Sequence, residues 1–265
     1  MKIGIVGNGV VGSATARCFM EWGEVRVYDQ VDEKRTHTLN ETLGSDVIFV
    51  CLPTPQTRNG LGCNLAPLTL FFHSLSLEAR KLNWVLRSTV PIGTTRNLRK
   101  DFDLPNLVHS PEFLTARCSF TDAQCPSRMI IGGAWEGDNQ STACGNVLLD
   151  LYRRRFTGIP IHLMSSDESE SVKLFLNGFF AVKVAYFNEV YALAKRLDLD
   201  WGTIMAGVMS DGRIAHSHTK VPGPDGKLGY GGTCLPKDLA NLASLLQENS
   251  CEDWMTTAAL NWRQK

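Results

Sequence analysis

The chain has 265 residues, of which 43% are apolar and 20% charged, and its 27 basic residues balance 27 acidic ones. This is the composition of an ordinary globular protein, and the length is sufficient for two domains. A net charge of zero gives no reason to expect nucleic acid or an anionic membrane as a partner. We also expect no membrane span and no signal peptide, because no apolar run approaches about 20 residues and a strand pattern follows Met1 directly.

The first 29 residues have the order of a dinucleotide-binding unit. The apolar strand KIGIVG leads into G-N-G-V-V-G, an amphipathic helix pattern follows, and a second strand, EVRVYD, ends in Asp29. Glycines at this spacing allow a tight turn and a close approach of a pyrophosphate to a helix N-terminus. A carboxylate after the second strand accepts hydrogen bonds from a ribose and repels a 2′-phosphate, which favours NAD over NADP. The predicted NAD-binding residues here are Gly7, Gly9, Val10, Val11, Gly12 and Asp29. A glycine-rich turn without a ligand is the alternative.

Alternating strand and helix patterns continue to about residue 165. Strands are predicted over 45–53, 83–89, 106–112, 128–133 and 160–165, and helices over 66–81, 93–100 and 138–155. Only a small helix fits between residues 30 and 45. This order is typical of βαβ units, so we predict an α/β fold with a Rossmann-type, doubly wound parallel sheet over residues 1–165. Ligands of such sheets bind at the carboxyl ends of the strands.

From residue 166 the pattern becomes helical. One helix pattern runs on from Asp167 for about 30 residues, with a serine and acidic residues at its start. A shorter helix, DWGTIMAGVMS, and a loop rich in glycine and proline follow it. We therefore predict an all-helical domain with one long helix over residues 166–265. Lys173 and Asn177 lie one turn apart on the long helix, where they either project into a functional site or face solvent.

The stretch GYGGTCLPKD places Cys234 directly before a helix pattern. Pro236 suits the first position of a helix, where its missing N–H costs nothing. Free N–H groups at a helix start favour an anion and would lower the pKa of a thiol. Asp238 follows Cys234 by one turn, so both would lie at the helix start. The alternative is a buried structural cysteine beside a turn.

The cysteines and the loop histidines indicate no metal site. The eight cysteines lie at positions 18, 51, 63, 118, 125, 144, 234 and 251, without the CxxC pairs or the histidine spacing of a zinc site. Such cysteines in a chain of this length, without a secretory signal, are typical of reduced thiols in a cytoplasmic protein. We predict that His216 and His218, in the loop before Cys234, have no catalytic role.

At the level of these motifs the chain resembles the UDP-glucose/GDP-mannose dehydrogenase family. The matching stretches occur in the family's order: KIGIVGNGVVG, CLPTP, STVPIGTT, SPEFL, SESVKLFLNGFFAVKVAYFNE, SDGRIA and GYGGTCLPKD. The resemblance implies NAD-dependent oxidation of a nucleotide sugar by two hydride transfers through a cysteine thioester. The leading candidate is the conversion of UDP-glucose to UDP-glucuronate by a homodimer.

The resemblance also implies the catalytic roles. Cys234 would be the nucleophile that captures the aldehyde and later leaves from the thioester. Lys173 and Asn177 would stabilise oxyanionic intermediates, with Lys173 also a candidate base, and Asp238 would position or activate water. Glu112 would be a candidate general base for thioester hydrolysis.

Other matching residues would bind the cofactor and the substrate. Thr89, Pro53 and Thr54 would line the cofactor site, with Thr89 also near the reacting carbon. Arg213 would reach the substrate of the neighbouring subunit and neutralise diphosphate charge. The implied substrate-binding residues are Phe113, Leu114, Lys173, Asn177, Arg213, Tyr230 and Gly231.

Two other functions remain open from the sequence. A two-electron dehydrogenase of the 3-hydroxyacid type shares a Rossmann domain and a Lys/Asn helix pair but does not need Cys234. A non-catalytic nucleotide-binding module would keep the site without turnover. Members of the family continue into a third domain that covers the nucleotide, whereas this sequence ends at Lys265. This difference puts the binding of the substrate and the specificity for it in question.

Overall fold

A computed structural model describes residues 1–58, 60, 62–133 and 142–262. The first part of the chain alternates strands and helices: β1 (Lys2–Val6), α1 (Val10–Phe19), β2 (Glu24–Tyr28), α2 (Leu39–Leu43), β3 (Val47–Val50), α3 (Ala66–His73), β4 (Trp84–Leu86), α4 (Thr94–Phe102), β5 (Leu107–His109), α5 (Ser119–Gln124), β6 (Met129–Gly132), α6 (Ala143–Arg155) and β7 (Ile161–Met164). The second part is helical: α7 (Ser166–Arg196), α8 (Trp201–Met209), α9 (Leu235–Glu248) and α10 (Trp254–Leu260).

The seven strands form one sheet in the order β2-β1-β3-β4-β5-β6-β7. The predicted doubly wound, Rossmann-type sheet is confirmed, because the strand order reverses between β1 and β3 and most neighbouring strands run parallel. One pairing departs from the prediction: β6 runs antiparallel to β5. The segment between these strands holds only a single 3-10 turn and the six-residue α5, so it has no long helix to carry the chain back along the sheet.

Alternate strand residues bury the two faces of the sheet in separate apolar clusters. Ile5, Phe49 and Val85 belong to a cluster that includes residues of α1 and α6. Their sequence neighbours Val50 and Leu86 belong to a second cluster, which includes residues of α3 and α4. The near-continuous apolar runs in the sequence therefore reflect strands that are covered on both faces.

Two predicted helices differ in length from the observed ones. The helix predicted over 66–81 ends at His73, and a 3-10 turn, Ala79–Lys81, follows. The side chain of Ser74 bonds back to the carbonyl of Phe71, and the side chain of Ser76 accepts a bond from the N–H of Ala79. Serines that bond to nearby backbone groups in this way interrupt a helix although the apolar spacing continues. The helix predicted over 138–155 is observed from Ala143, with Thr142 as its N-cap residue, and residues 138–141 lie outside the described residues.

The chain divides into two compact units by its contacts: residues 1–54 with 64–173, and residues 55–63 with 174–265. The predicted domain boundary at residue 166 is the first residue of α7, whereas the division by contacts falls within that helix. A capping box opens α7, in which the Ser165 side chain and the Glu168 carboxylate bond to each other's backbone N–H. Among the described residues, no helix is both long and apolar enough to cross a membrane.

Candidate active site

The turn after β1 is closed by backbone contacts that only glycine permits. Gly7 has a φ of 92°, and a Cβ on it would lie 2.8 Å from the carbonyl oxygen of Cys51. A Cβ on Gly12 would collide with the backbone carbonyl of Gly7. A Cβ on Gly9, in contrast, would meet nothing within 4 Å, and no side chain caps α1 at this residue. The N-terminal N–H groups of α1 are therefore approachable by an anion at Gly9.

Asp29 is held at the carboxyl end of β2 by this turn. The backbone N–H of Asn8 donates to Asp29 Oδ2 at 2.6 Å, and the N–H of Val31 donates to Oδ1 at 2.9 Å. The carboxylate thus lies beside the turn between β1 and α1, with β1 and β2 paired in register. This is the relation that a dinucleotide site requires between its glycines and its acidic residue.

The loops after β3 and β4 are joined to each other. The Thr54 hydroxyl donates to the carbonyl of Thr89 at 2.7 Å, and the Ser88 hydroxyl donates to the carbonyl of Leu52 at 2.6 Å. Thr54 is buried, whereas Pro53 is exposed. Because β1 and β3 flank the point where the strand order reverses, the loop after β3 lies where ligands of such sheets bind, and the loop after β4 is bonded to it.

Glu112 and Lys173 form a buried ion pair in the first unit. Lys173 Nζ lies 2.8 Å from Glu112 Oε1, and the two side chains are only 6% and 10% exposed. The N–H of Leu114 donates to the other carboxylate oxygen at 2.6 Å, and Lys173 Nζ lies 5.8 Å from the ring centre of Phe113. Lys173 does not face solvent, so that alternative is wrong.

Glu170 is a further buried acid, which the sequence analysis missed. It lies one turn before Lys173 on α7 and accepts bonds from the N–H groups of Gly93 and Thr95 and from the Thr95 hydroxyl, at 2.5–2.7 Å. It therefore caps the N-terminus of α4. Burial raises the pKa of Glu170 to about 7, although these bonds act in the opposite direction. Its position in the first turns of α7 was the only signal in the sequence.

In the second unit, Asp238 lies at the centre of a buried polar cluster. Its side chain is 1% exposed and accepts from Asn177 Nδ2 and from Lys237 Nζ, each at 2.6 Å. Lys237 Nζ also contacts Cys63 Sγ at 3.3 Å. Burial lowers the pKa of Lys237, and the Asp238 carboxylate and Cys63 raise it, with a net increase. Asn177 is buried as well, so the solvent-facing alternative is wrong for this residue too.

Cys234 is the N-cap residue of α9 and is exposed. Its carbonyl accepts the N–H of Asp238 at 2.9 Å, which is the first bond of the helix, and no side chain caps this helix end. The helix begins at Leu235, so Pro236 takes the second helical position and not the predicted first, where its missing N–H is equally free of cost. The sulfur therefore lies at a helix N-terminus where it can be reached, and the alternative of a buried structural cysteine is wrong.

The glycine-rich loop before Cys234 is fixed by α7. Asn188, another residue that the sequence analysis missed, accepts the N–H of Gly229 at 2.7 Å through its side-chain oxygen. Asn188 follows Asn177 by three helical turns, which was the available signal. Tyr230 is 2% exposed and its hydroxyl donates to the carbonyl of Ala259, so its side chain packs in the core of the second unit. Substrate contact at Tyr230 and Gly231 stays a prediction. Because the Tyr230 side chain is buried, this residue would contact the substrate through its backbone.

Other predicted substrate residues and the loop histidines differ in exposure. Arg213 is exposed and held by Asp211, whose carboxylate accepts from Nε at 2.9 Å and from Nη2 at 2.6 Å. His216 is exposed, whereas His218 stacks on Phe180 with ring centres 4.1 Å apart. Within the described ranges, no group of three or more His, Cys, Asp or Glu side chains could hold a metal ion.

The residues of the first unit fit a dinucleotide. The open approach at Gly9, the uncapped start of α1 and the carboxylate of Asp29 match the pyrophosphate and ribose of NAD. The family comparison gives the same cofactor. The NAD-binding domain of the UDP-glucose/GDP-mannose dehydrogenase family matches residues 33–155, and the central domain of the same family matches residues 167–263.

Individual relatives carry related names. The chain is 30% identical to the UDP-glucose 6-dehydrogenase of Campylobacter jejuni over 91% of its length, which is 67% of that protein. The structure of a UDP-glucose dehydrogenase from Pyrobaculum islandicum is similar with a TM-score of 0.82 at 25% identity, over 98% of this chain and 67% of that one. A 3-hydroxyisobutyrate dehydrogenase of Mycobacterium tuberculosis shares the fold, with a TM-score of 0.71 at 16% identity over 98% of this chain and 91% of that one.

These matches confirm the resemblance seen in the sequence motifs. The chain spans about two thirds of the length of the curated relatives it matches. It belongs to the UDP-glucose/GDP-mannose dehydrogenase family, and NAD is the cofactor of its N-terminal domain.

Proposed function

We propose that the protein oxidises the primary alcohol of a nucleotide sugar to a carboxylate, with UDP-glucose as substrate and UDP-glucuronate as product. Two relatives named UDP-glucose 6-dehydrogenase, 30% and 29% identical to this chain, support this choice of substrate. The observation that carries the proposal is the exposed Cys234 at the N-terminus of α9, since a four-electron oxidation of this kind uses a nucleophilic thiol.

The cofactor site is assigned to the first unit. When bound, NAD supplies the acceptor for the hydrides. The N-terminal N–H groups of α1 would bind its diphosphate at Gly9, and the Asp29 carboxylate would accept hydrogen bonds from its ribose hydroxyls. Pro53 and Thr54, in the loop after β3 beside the switch point of the sheet, are proposed to complete this site together with Thr89 in the adjoining loop after β4.

Cys234 is proposed to bind the substrate covalently after the first oxidation. The sugar alcohol loses a hydride and a proton and becomes an aldehyde, and the Cys234 sulfur then adds to the aldehyde carbon. Loss of a second hydride and a proton from this adduct gives a thioester, and water releases the carboxylate and restores the thiol. The reaction consumes one water and two NAD per sugar.

The buried polar groups are proposed to act on protons and on developing charge. Lys173, as a cation paired with Glu112, would stabilise an oxyanion, while Glu112 would accept a proton from the water that attacks the thioester. Asn177 would donate an amide N–H to the same oxyanion. The Asp238 carboxylate accepts the amide of Asn177 and therefore fixes its orientation. A water-positioning role for Asp238 remains part of the proposal, because a carboxylate has further lone pairs to offer.

The experiment is a panel of UDP- and GDP-sugars in which NADH formation is followed by absorbance. We expect UDP-glucose to give two NADH per molecule consumed. The Cys234→Ala variant should lose this turnover, and Cys251→Ala is the matched control because Cys251 is also an exposed thiol of the second unit. Full activity of Cys234→Ala would favour a two-electron enzyme of the 3-hydroxyacid type. NAD binding without NADH from any sugar would favour a non-catalytic module.

A homodimer through α7 is also part of the proposal. Phe175, Phe179, Tyr186, Leu193 and Leu197 are each more than half exposed and follow one another at intervals of 4, 7, 7 and 4 residues, which is the spacing of a helix–helix seam. An apolar hollow of about 250 Å³ between the end of α7 and α8 adjoins this stripe. A dimer would bury both the apolar stripe and the hollow. The predicted contact of Arg213 with the substrate of the neighbouring subunit would require such a dimer.

The oligomeric state tests this part separately. Light scattering should give a dimer mass for the wild type and a monomer mass for Leu193→Glu, since a charge in the seam would be buried without a partner. Lys195→Glu changes an exposed residue on the opposite side of the same helix, two positions after Leu193, and serves as control. A wild-type monomer would refute the assignment.

A further inference from the structure

A cavity of about 270 Å³ lies in the first unit beside the segment that follows β5. Residues of α1, α5 and α6, and the end of β4, form its walls. Glu112 and the predicted substrate residues Phe113 and Leu114 belong to its lining, but the proposed reaction uses none of the lining residues from α1, α5 and α6. One polar group of the lining is the buried guanidinium of Arg87, which follows β4 directly.

Arg87 is a buried cation without a carboxylate partner. The residue is 7% exposed, and its clearest polar contact is a 3.3 Å bond from Nη1 to the hydroxyl of Tyr152. Among the residues that the structure describes, no carboxylate oxygen lies within 4.0 Å of it, and its Nε–H has no acceptor. A buried charge with an unsatisfied donor is costly, so a bound ligand that offers a hydrogen-bond acceptor to the Arg87 guanidinium would be stabilised here.

A second guanidinium faces the same cavity. The Arg128 guanidinium lies 4.1 Å from the ring centre of Phe113, and its polar contact in the described part of the chain is a 3.4 Å bond to the hydroxyl of Ser127. Stacking of this kind fixes the plane of the guanidinium while its N–H groups remain available. The cavity therefore has two arginines that no carboxylate of the described residues neutralises.

The carboxylates of the wall are already engaged elsewhere. Glu112 is paired with Lys173 at 2.8 Å, and Asp122 accepts the N–H of Thr115 at 2.7 Å. The remaining lining is largely aromatic and apolar, and includes the rings of Phe19 and Phe156. A ligand that suits this lining has one anionic end for the arginines and a flat apolar body for the rings.

We propose that this cavity binds a small planar monocarboxylate, whose carboxylate is held by Arg87 and Arg128 and whose body packs against Phe19 and Phe156. The fork geometry of a guanidinium matches the two oxygens of a carboxylate. An uncharged molecule of the same shape would leave the Arg87 charge uncompensated. This inference does not depend on the proposed reaction, since binding at the cavity needs neither NAD nor a nucleotide sugar.

The test compares benzoate with benzamide, which has nearly the same shape but no charge. Titration of the full chain at low ionic strength, followed by NMR or calorimetry, should show saturable binding of benzoate and at least about tenfold weaker binding of benzamide. Arg87→Met and Arg128→Met should each weaken benzoate binding by about tenfold or more. Arg154→Met is the matched control, because Arg154 is an exposed arginine on α6, and it should bind like the wild type.

Two further variants separate binding from folding. Arg87→Lys keeps the charge and should retain part of the affinity even if Arg87→Met does not fold. Ala123→Leu fills the cavity from α5 without removing a charge, and it should also abolish binding. Equal affinities for benzoate and benzamide would overturn the proposal, and so would the absence of saturable benzoate binding to the wild type. Wild-type benzoate affinity in both Arg128→Met and Ala123→Leu would also overturn it.

Discussion

Gly9 and Gly12 should respond to alanine in opposite ways, although they belong to one turn. A methyl group on Gly12 would overlap the carbonyl oxygen of Gly7 and lie 2.9 Å from its carbonyl carbon, where real Cβ atoms keep at least 3.0 Å. Both partners are backbone, so relief requires a shift of α1 against β1. We expect Gly12→Ala to lower the free energy of unfolding by about 3 kcal/mol, and the melting temperature by roughly 6–12 °C.

Gly9→Ala meets no atom within 4 Å and keeps an ordinary φ of −80°. Its cost in stability should stay below about 1 kcal/mol, the cost of a poorer N-cap residue. The methyl group would stand where a phosphate approaches the N–H groups of α1, so NAD affinity should fall by about 10- to 100-fold. Thermal melts followed by circular dichroism and calorimetric NAD titration separate the two effects. Wild-type NAD affinity in Gly9→Ala, or wild-type stability in Gly12→Ala, would refute this reasoning.

Three other predictions follow from the buried polar groups. Lys173→Met should lower the free energy of unfolding by about 3–5 kcal/mol in urea denaturation, because it leaves Glu112 unpaired, and the double variant with Glu112→Gln should recover most of this loss. Burial raises the pKa of Glu170 to about 7, so between pH 4.5 and 7 the folded protein should bind a proton at Glu170 that the unfolded chain does not. The free energy of unfolding should therefore fall by up to about 3 kcal/mol as the pH rises through this range. Glu170→Gln should lose that pH dependence, and an unchanged slope would contradict the assignment. Asn177→Ala should lower kcat by about 100-fold with little change in KM, as measured by NADH formation; a change in KM alone would argue for simple substrate binding.

The sequence predicted features that depend on neighbouring residues. The turn from Gly7 to Gly12 and the position of Cys234 at a helix start are fixed by local backbone requirements, and both are found as predicted. The strands were located by their apolar runs, although each extended run is longer than the strand within it. Local pattern is a good guide here because glycine, proline and apolar spacing act over a few residues.

Pairings between distant residues could not be predicted in the same way. Glu112 and Lys173 are 61 residues apart, and Glu170 caps a helix that begins more than 70 residues earlier. Each of these charges looks like a solvated residue in the sequence, because its partner is supplied only by the packing of α7 in the first unit. The antiparallel β6 is another such case, since its direction depends on the path of the segment around α5.

The central claim is that Cys234 becomes covalently bonded to the oxidised sugar. The direct measurement is the mass of the peptide that contains Cys234, after acid quenching of the protein during turnover with NAD and UDP-glucose. The account predicts that a fraction of this peptide carries the mass of a UDP-glucuronosyl thioester, and that peptides with Cys251 do not. An unmodified Cys234 peptide during steady production of UDP-glucuronate would contradict the claim.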